Sequence, residues 1–196
     1  ELGDYLLERT LREMGEFGIF ERGLSISVNV SPVQLLVPGF GTKVLSMVRR
    51  HRICPEQLHI EVTESREVRS MSVAIAALRE LADGGVQLTI DDFGKGATSI
   101  GYLVNLPVNR VKIDRSLTSG LTLGASSAVV EGIVVMSRGL GLQVTAEGVQ
   151  TEDQLHLARE LGVDCVQGWL FSAGLSPDSL GEYLTQAGDV QARARS

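Results

Sequence analysis

The chain has 196 residues, of which 43% are hydrophobic, and it carries a formal net charge of −6. This size supports one hydrophobic core, so we expect a single domain over residues 1–188 and a polar tail over 189–196. The acidic balance argues against a nucleic-acid surface built from Lys and Arg, and no apolar run reaches the roughly 18–20 residues of a membrane span, which predicts a cytoplasmic protein without membrane contact.

Helix-period and strand-period segments alternate along the chain, with Gly or Pro marking the breaks. The predicted strands cover residues 24–30, 58–63, 86–92, 108–114, 143–147 and 163–167. The predicted helices cover 4–17, a helical stretch ending near 51, 67–82, 126–138 and 151–161, and Ser176-Pro177 opens a last helix. Thr151 and Gln154 have the spacing of a capping box. This alternation is typical of parallel strands joined by covering helices, and it predicts an α/β fold of the (β/α) barrel type.

Five of these strands alternate apolar and polar side chains, while the sixth mixes the two. The polar positions are Ser27, Asn29, His59, Glu61, Thr63, Thr89, Asp91, Arg110, Lys112, Asp114, Thr145 and Glu147. In an antiparallel sheet this polar face would simply meet water. Because the connections are long enough for helices, we instead expect the polar side chains to point into a barrel. Those nearest the strand ends then reach the rim where such barrels place their chemistry.

Several acidic side chains are expected at that rim, and buried carboxylates repel one another unless cations neutralise them. Oxygen ligands favour Mg²⁺ or Mn²⁺ over zinc. Asp91 and Asp92 can serve one centre only where their strand ends, and Phe93-Gly94-Lys95-Gly96 provides that turn. A bridging Asp91 would permit two metals that clamp a phosphodiester. The plainer interpretation, a capped turn with Lys112 in a structural ion pair, explains these residues equally well when they are taken alone.

Six motifs, in the same order along the chain, resemble those of the EAL family, the phosphodiesterases specific for cyclic di-GMP. They are Ser27-Val28-Asn29-Val30-Ser31, Glu61-Val62-Thr63-Glu64, Asp91-Asp92-Phe93-Gly94, Lys112-Ile113-Asp114, Ala146-Glu147-Gly148-Val149 and Gln167-Gly168-Trp169-Leu170-Phe171-Ser172. The match runs nearly end to end, and the ordered series is far more specific than any single motif.

The resemblance implies a modified TIM-type barrel of eight strands, of which six are present in this chain, and hydrolysis of cyclic di-GMP to linear pGpG with two Mg²⁺ or Mn²⁺ ions. By motif position, the metal ligands would be Asn29, Glu61, Asp91, Asp92 and Glu147. Lys112 would position the attacking water, and Glu64 would brace the loop over residues 92–99. Asp114 and Gln167 would bind substrate or solvent. Gln167 would also take part in catalysis, and Ser31 would bind substrate. The resemblance further implies a homodimer with attached sensor or cyclase domains.

Departures from the family pattern leave other functions open. The family's first two strands, with the Glu-Ala-Leu glutamate, are expected before Glu1, and Ala97 stands where the family usually has an aromatic residue in a loop that couples metal binding to dimerisation. These departures favour an inactive receptor for cyclic di-GMP as the first alternative, and they leave the chain as written with weak or absent catalysis. A weaker alternative is a barrel lyase or aldolase that uses Lys112 as its base, with one Mg²⁺.

Four residues outside these roles have plainer interpretations. Cys54 and Cys165 lack the spacing of a zinc site or a disulfide, and we expect both to be buried as small hydrophobic residues. We expect His59 to form hydrogen bonds in the core. Trp169 is expected to pack beside the site, with stacking on a guanine as the alternative.

Overall fold

A computed structural model of the chain describes residues 2–63, 72–95, 103–176 and 179–185. The described residues contain one six-stranded sheet: β1 (Ile26–Asn29), β2 (Leu58–Thr63), β3 (Gln87–Phe93), β4 (Arg110–Ile113), β5 (Gln143–Glu147) and β6 (Cys165–Gln167). Every neighbouring pair is parallel, and the order in the sheet is the order in the chain. The sheet curls into a half-barrel flanked by helices, which confirms the predicted fold class and its six strands.

Helices connect these strands in the described part of the chain. They are α1 (Leu2–Glu16), α2 (Pro32–Leu35), α3 (Phe40–Arg50), α4 (Ser72–Asp83), α5 (Arg115–Ser119), α6 (Gly124–Gly139) and α7 (Glu152–Glu160), with a 3₁₀ turn at Pro55–Gln57 and helical residues at 179–185. The predicted start of the helix at 67 lies outside the described residues. None of the helices within the described ranges has the length and apolar content that a membrane span requires.

The capping box at the start of α7 is confirmed. The backbone N–H of Gln154 donates to Thr151 Oγ1 at 3.2 Å, and the backbone N–H of Thr151 donates to Gln154 Oε1 at 3.2 Å. Two backbone donors that the helix itself leaves unpaired are satisfied in this way. The start of α7 is therefore fixed close behind the end of β5, where Glu147 lies.

The apolar face of the sheet packs under the helices, as the strand phase predicts. Leu58, Ile60, Leu88, Ile90 and Val111 are all fully buried, and they belong to one continuous core with α3, α4 and α6. Burying a side chain of this size stabilises the fold by about 1.5–3 kcal/mol. This one-sided core leaves the opposite, polar face of the same strands for the inside of the half-barrel.

The expectation that both cysteines are buried is wrong, because Cys54 and Cys165 are exposed. Cys165 lies on β6, which is the last strand of the sheet and has a neighbour on one side only among the described residues. It lines an open cavity of about 390 Å³ on the inner face, together with Glu61 and Lys112. Apolar character alone does not bury a residue on a sheet edge, since burial needs a neighbouring strand or helix.

Candidate functional site

The strand register carries the predicted acidic residues diagonally across the inner face. Asn29 pairs with Glu61, Asp91 pairs with Thr63 two residues further along the strands, and Glu147 pairs with Gln167 at the end of β5. Barrel strands tilt against the barrel axis, so a diagonal across the sheet becomes a ring around one rim. These residues therefore lie toward the carboxyl ends of the strands, where parallel barrels hold their active sites.

Lys112 lies at the centre of this rim and contacts three carboxylates from three other strands. Its Nζ is 2.6 Å from Glu61 Oε2, 2.5 Å from Glu147 Oε1 and 3.7 Å from Asp91 Oδ1. Lys112 is 4% exposed and Glu61 is 5% exposed. Buried charges persist when they are paired, so the three carboxylates and the ammonium stabilise one another. The structure thus brings three of the predicted metal ligands close to the ammonium of Lys112.

The pKa values of Lys112 and Glu147 are both raised, for different reasons. Burial lowers the pKa of Lys112, but hydrogen bonds to Glu147 and Glu61 outweigh burial, and the pKa is raised overall. Burial raises the pKa of Glu147, and the charges of Asp91 and Glu61 raise it further against the pull of Lys112. Three carboxylates against one ammonium form a site that attracts additional cations.

An irregularity in β3 lies at Asp91 and Asp92, where the sequence predicted the end of the strand. Strand β3 continues to Phe93, but its register with β4 shifts between Ile90 and Phe93. Asp92 occupies the left-handed region with φ of 56°, and its backbone N–H donates to Asp91 Oδ1 at 2.9 Å. The extra residue of a bulge re-aims side chains that a regular strand would send to opposite faces.

A second ion-paired group adjoins the bulge. Lys95 Nζ lies 3.6 Å from Asp92 Oδ2 and 4.0 Å from Asp114 Oδ2. Asp114 is buried at the start of α5 and accepts a hydrogen bond from the backbone N–H of Ser116 at 2.9 Å. Burial raises the pKa of Asp114, but hydrogen bonds from Ser116 and the charge of Lys95 outweigh it, and the pKa is lowered. The sequence reasoning missed Lys95, and its spacing three residues after Asp92 was the available signal.

The remaining predicted residues occupy three kinds of position. Asn29 and Gln167 are exposed at the ends of β1 and β6. Ser31 lies at the start of α2, where its hydroxyl and its backbone N–H both donate to Gln34 Oε1, at 2.9 and 3.0 Å. Glu64 lies outside the described residues, as does Ala97. The substrate role of Ser31 and the loop role of Glu64 therefore stay predictions.

His59 lies deeper in the half-barrel than the acidic rim. It is 9% exposed, and its Nδ1 is 3.4 Å from a terminal guanidinium nitrogen of Arg110. Burial lowers the pKa of His59, and the positive charge of Arg110 lowers it further. A neutral imidazole next to an arginine is consistent with the expected hydrogen-bonding role in the core.

An open cavity of about 420 Å³ adjoins the Lys112 cluster on the side of β5 and β6. Glu147 and Gln167 line one side of it, and Arg115 and Trp169 line the other. Trp169 is 75% exposed, so it lies in the cavity wall without the packing that the sequence interpretation assigned to it. Neither Arg115 nor Trp169 carried a firm functional prediction from the sequence.

The donor set suits hard divalent cations, although the carboxylates are turned toward Lys112. Within residues 2–63, 72–95, 103–176 and 179–185, no three His, Cys, Asp or Glu side chains form a ready-made metal cage. Glu61 and Glu147 instead meet at the Lys112 ammonium. Carboxylate and amide oxygens are the ligands that Mg²⁺ and Mn²⁺ prefer.

Comparisons with known proteins agree with this geometry. A family model described as the EAL domain matches residues 1–173. The bifunctional diguanylate cyclase/cyclic di-GMP phosphodiesterase MucR of Pseudomonas aeruginosa is 34% identical over 184 residues, which make up 92% of this chain and 27% of MucR. The chain therefore spans about a quarter of the length of that relative.

Two solved structures share the fold over most of the chain. The PaMucR phosphodiesterase in complex with c-di-GMP is 34% identical with a TM-score of 0.82, and the match covers 91% of this chain and 73% of that one. The manganese and c-di-GMP complex of Klebsiella pneumoniae BlrP1 is 26% identical with a TM-score of 0.80, and the match covers 87% of this chain and 44% of that one.

Proposed function

The chain belongs to the EAL domain family, and from this premise we propose that it is a phosphodiesterase domain that hydrolyses cyclic di-GMP to linear pGpG with two divalent ions, Mg²⁺ or Mn²⁺. The observation that carries the proposal is the convergence of Glu61, Asp91 and Glu147, from three different strands, on the ammonium of Lys112. The carboxylates of such a site bind cations, and bound cations together with the ammonium bind a phosphate.

In this proposal the metal ligands are Asn29, Glu61, Asp91, Asp92 and Glu147. Their support is the chemistry of the donor set and the position of Glu61, Asp91 and Glu147 around Lys112. The manganese in the complex of the related BlrP1 domain supports the same choice of cation. Two such ions would neutralise charge on the phosphate and lower the pKa of the attacking water.

Lys112 acts as a proton-bearing group that orients the attacking water. Its raised pKa keeps the amine protonated near neutral pH, so it donates hydrogen bonds and does not accept a proton. Its position among Glu61, Asp91 and Glu147 gives the ammonium one fixed location next to the phosphate. Asp114, Gln167 and Ser31 are proposed to seat the substrate, and Glu64 to brace the loop that follows β3.

Partners are proposed by the same reasoning. The complex of PaMucR with c-di-GMP supports cyclic di-GMP as the ligand. The chain matches 27% of MucR, whose name joins a cyclase to a phosphodiesterase, and this supports attached signalling domains in the natural protein. A homodimer, coupled to the site through the loop after β3, completes the proposal.

The experiment is a turnover assay on the natural protein that carries this sequence, with chromatographic separation of cyclic di-GMP and pGpG. We expect pGpG to accumulate with Mn²⁺ and to stay at background in EDTA. Cyclic di-AMP is the matched control substrate, because it has the same phosphodiester ring and different bases. If cyclic di-GMP stays intact with Mn²⁺, the phosphodiesterase proposal fails.

A cyclic di-GMP receptor without turnover is the second candidate, and one observation favours it. Lys112 already pairs with Glu61 and Glu147, which reduces the charge available to a second cation. Calorimetry separates the two functions, since a receptor binds cyclic di-GMP with micromolar or better affinity while the assay shows no pGpG. No observation favours the lyase or aldolase, because the raised pKa of Lys112 opposes a role as base.

A further inference from the structure

A second cavity, which we call the inner-face cavity, extends from the acidic rim toward the amino ends of the strands. Its volume is about 390 Å³, and its wall includes Glu61, Arg110, Lys112, Thr145 and Cys165. The function proposed above uses Glu61 and Lys112 of this wall. It assigns nothing to Arg110, Thr145 or Cys165, although all three line the same space.

Two polar atoms of this wall are buried and, among the residues that the structure describes, have no hydrogen-bond partner. They are Oγ1 of Thr145 and Nε of Arg110. Thr145 is 6% exposed, and it lies on the inner face between Lys112 and Cys165, its register partners on the two neighbouring strands. A buried hydroxyl without a partner costs free energy, so a polar occupant of the cavity that bonds to it is favoured.

Arg110 gives the cavity a positive charge that no carboxylate of the described residues offsets. Its guanidinium contacts Gln143 Oε1 at 2.6 Å and His59 Nδ1 at 3.4 Å. Gln143 carries no charge, and burial together with the charge of Arg110 lowers the pKa of His59. Lys112, in contrast, is paired with Glu61. An arginine without a carboxylate partner attracts an anion, and its planar fork suits a carboxylate.

Cys165 adds a thiol to this cationic wall. It is exposed, and it points to the inner face because its register partner is Thr145. We propose that Cys165 is a modification site, at which a small disulfide that carries a carboxylate forms a mixed disulfide inside the inner-face cavity. Arg110 binds the carboxylate of that molecule, and the hydroxyl of Thr145 bonds to one of its polar groups.

The separation of Arg110 and Cys165 suits such a molecule. The two residues are two strands and two residues apart in the register of the sheet. At ordinary strand spacing and rise their Cα atoms are roughly 12 Å apart. Both side chains line the cavity and span part of this distance. A carboxylate a few bonds away from the reacting sulfur therefore reaches the guanidinium while that sulfur meets the thiol.

The proposed reaction is a balanced thiol–disulfide exchange. The thiolate of Cys165 attacks one sulfur of the small disulfide, and a new S–S bond forms as the original S–S bond breaks. The other half leaves as a thiolate and takes up the proton that Cys165 has lost. Cys165 is oxidised and the leaving half is reduced, so a thiol reductant reverses the reaction.

The mixed disulfide lies beside the groups of the proposed active site. Cys165, Thr145 and Lys112 form one row across β6, β5 and β4, and Glu61 lines the same cavity. A bulky adduct in this space displaces the side chains of Lys112 and Glu61. We therefore expect modification to block binding of cyclic di-GMP, and this consequence, unlike the modification itself, rests on the proposed function.

Alkylation kinetics on the 196-residue chain test the attraction of anions, with Cys54 as an internal control. Cys54 is also exposed, but it precedes the 3₁₀ turn and lies outside this cavity. Iodoacetate and iodoacetamide are nearly equal in size, and only iodoacetate carries a carboxylate. Mass spectrometry of peptides gives both rates at each cysteine. We expect the ratio of the iodoacetate rate to the iodoacetamide rate to be about tenfold higher at Cys165 than at Cys54. Equal ratios at the two cysteines overturn the proposal.

Variants of Arg110 test the source of the preference. Arg110→Gln should lower the rate ratio at Cys165 to the ratio at Cys54, whereas Arg110→Lys keeps the charge and should keep most of the preference. Arg49→Gln, which changes an exposed arginine in the last turn of α3, is the control and should leave the ratio unchanged. Circular dichroism checks that each variant is folded. A folded Arg110→Gln variant with the wild-type ratio overturns the role of Arg110.

Glutathione disulfide tests the modification itself on the natural protein that carries this sequence. Cystamine is the matched reagent, because it is a small disulfide with amines and no carboxylate. We expect glutathione disulfide to modify Cys165 at least about tenfold faster than Cys54, and cystamine to show no such preference. No mixed disulfide at Cys165, or the same preference with cystamine, refutes the proposed site.

Calorimetry with cyclic di-GMP then measures the consequence. We expect glutathione disulfide to abolish binding and dithiothreitol to restore it. Cys165→Ser should bind as the wild type does and resist the reagent, while Cys54→Ser should stay sensitive. Complete modification at Cys165 with unchanged binding refutes the block. If the unmodified protein binds no cyclic di-GMP, the proposed function fails, and mass spectrometry alone decides whether Cys165 is the modification site.

Discussion

Replacing Lys112 by methionine tests the electrostatic account of the site in isolation from turnover. The Lys112→Met variant keeps most of the side-chain volume and removes the ammonium that Glu61 contacts at 2.6 Å. The side chains of Lys112 and Glu61 are 5% and 6% exposed, so solvent does little to replace the lost charge. Leaving one partner of such a buried pair alone costs about 3–5 kcal/mol.

Protonation limits that cost and gives it a distinctive pH dependence. The free-energy cost of protonating a glutamate with an ordinary pKa of about 4.3 rises by about 1.4 kcal/mol for each pH unit above that value. The cost is therefore about 3.7 kcal/mol at pH 7 and about 1 kcal/mol at pH 5. A carboxyl group whose folded pKa is raised stabilises the fold at low pH and loses that contribution as the pH rises. We therefore expect Lys112→Met to lower the free energy of unfolding by about 3 kcal/mol at pH 7 and about 1 kcal/mol at pH 5.

The assay is urea unfolding followed by circular dichroism in EDTA, at pH 5 and pH 7. The control is Lys43→Met, because Lys43 forms an ion pair of equal length, 2.6 Å, with Asp4, but these side chains are 49% and 30% exposed. Exposed pairs contribute about 0.2–1 kcal/mol, so this variant should lose little at either pH. A loss below about 1 kcal/mol for Lys112→Met at pH 7, or an equal loss at both pH values, would refute the reasoning.

Three further predictions concern the metal ligands, the cavity wall and alkaline stability. Asp91→Asn should lower turnover at least about 100-fold and reduce the number of Mn²⁺ ions bound, while the exposed control Glu16→Gln should change neither; activity within tenfold of wild type would contradict the role of Asp91. Gly168→Ala should lower the free energy of unfolding by about 1–3 kcal/mol, because the added Cβ meets the Val149 backbone, whereas a Cβ at Gly174 meets nothing within 4 Å and Gly174→Ala should be as stable as wild type; equal stability of the two variants would be inconsistent with the close approach. Because the pKa of Lys112 is raised, its ion pairs stabilise the fold fully below the ordinary value of 10.5, and this stability is lost as the pH rises through the folded pKa. Between pH 10 and 12 the wild type should therefore lose more stability than Lys112→Met. Parallel losses in the two proteins would show that deprotonation of Lys112 does not cause the alkaline loss of stability.

Strand phase was the part of the fold that the sequence predicted best. The predicted bounds of β2 and β5 agree with the structure to the residue, since clear turns bound both alternating segments. The same phase placed Glu61, Lys112 and Glu147 on the inner face. What it did not reveal was the contact of Lys112 with three carboxylates, because contacts across strands depend on register and tilt.

Asp92 shows why local reasoning failed in one respect. The sequence interpretation assumed a regular strand that ends at a glycine turn, whereas β3 bulges and Asp92 adopts positive φ. A bulge depends on pairing with β4, and pairing is not visible in the residues of one strand. The same gap explains Cys165, whose exposure follows from its place on the edge strand.

Trp169 illustrates a different limit. Its large apolar side chain favours burial on average, and the sequence interpretation followed that average. The structure leaves it exposed because the neighbouring Leu170, not Trp169, enters the small core with Val149. Which of two adjacent apolar residues points inward after a strand depends on the loop, and the close approach at Gly168 sets that loop.

The most direct measurement of the central claim is a crystal structure of this chain with Mn²⁺ and cyclic di-GMP, with the manganese located by anomalous scattering. The account predicts two manganese peaks about 3.5–4 Å apart, in contact with oxygens of Glu61, Asp91, Asp92 and Glu147. Bound cyclic di-GMP with no manganese at this rim, and with Lys112 still pairing with Glu61 and Glu147, would contradict it.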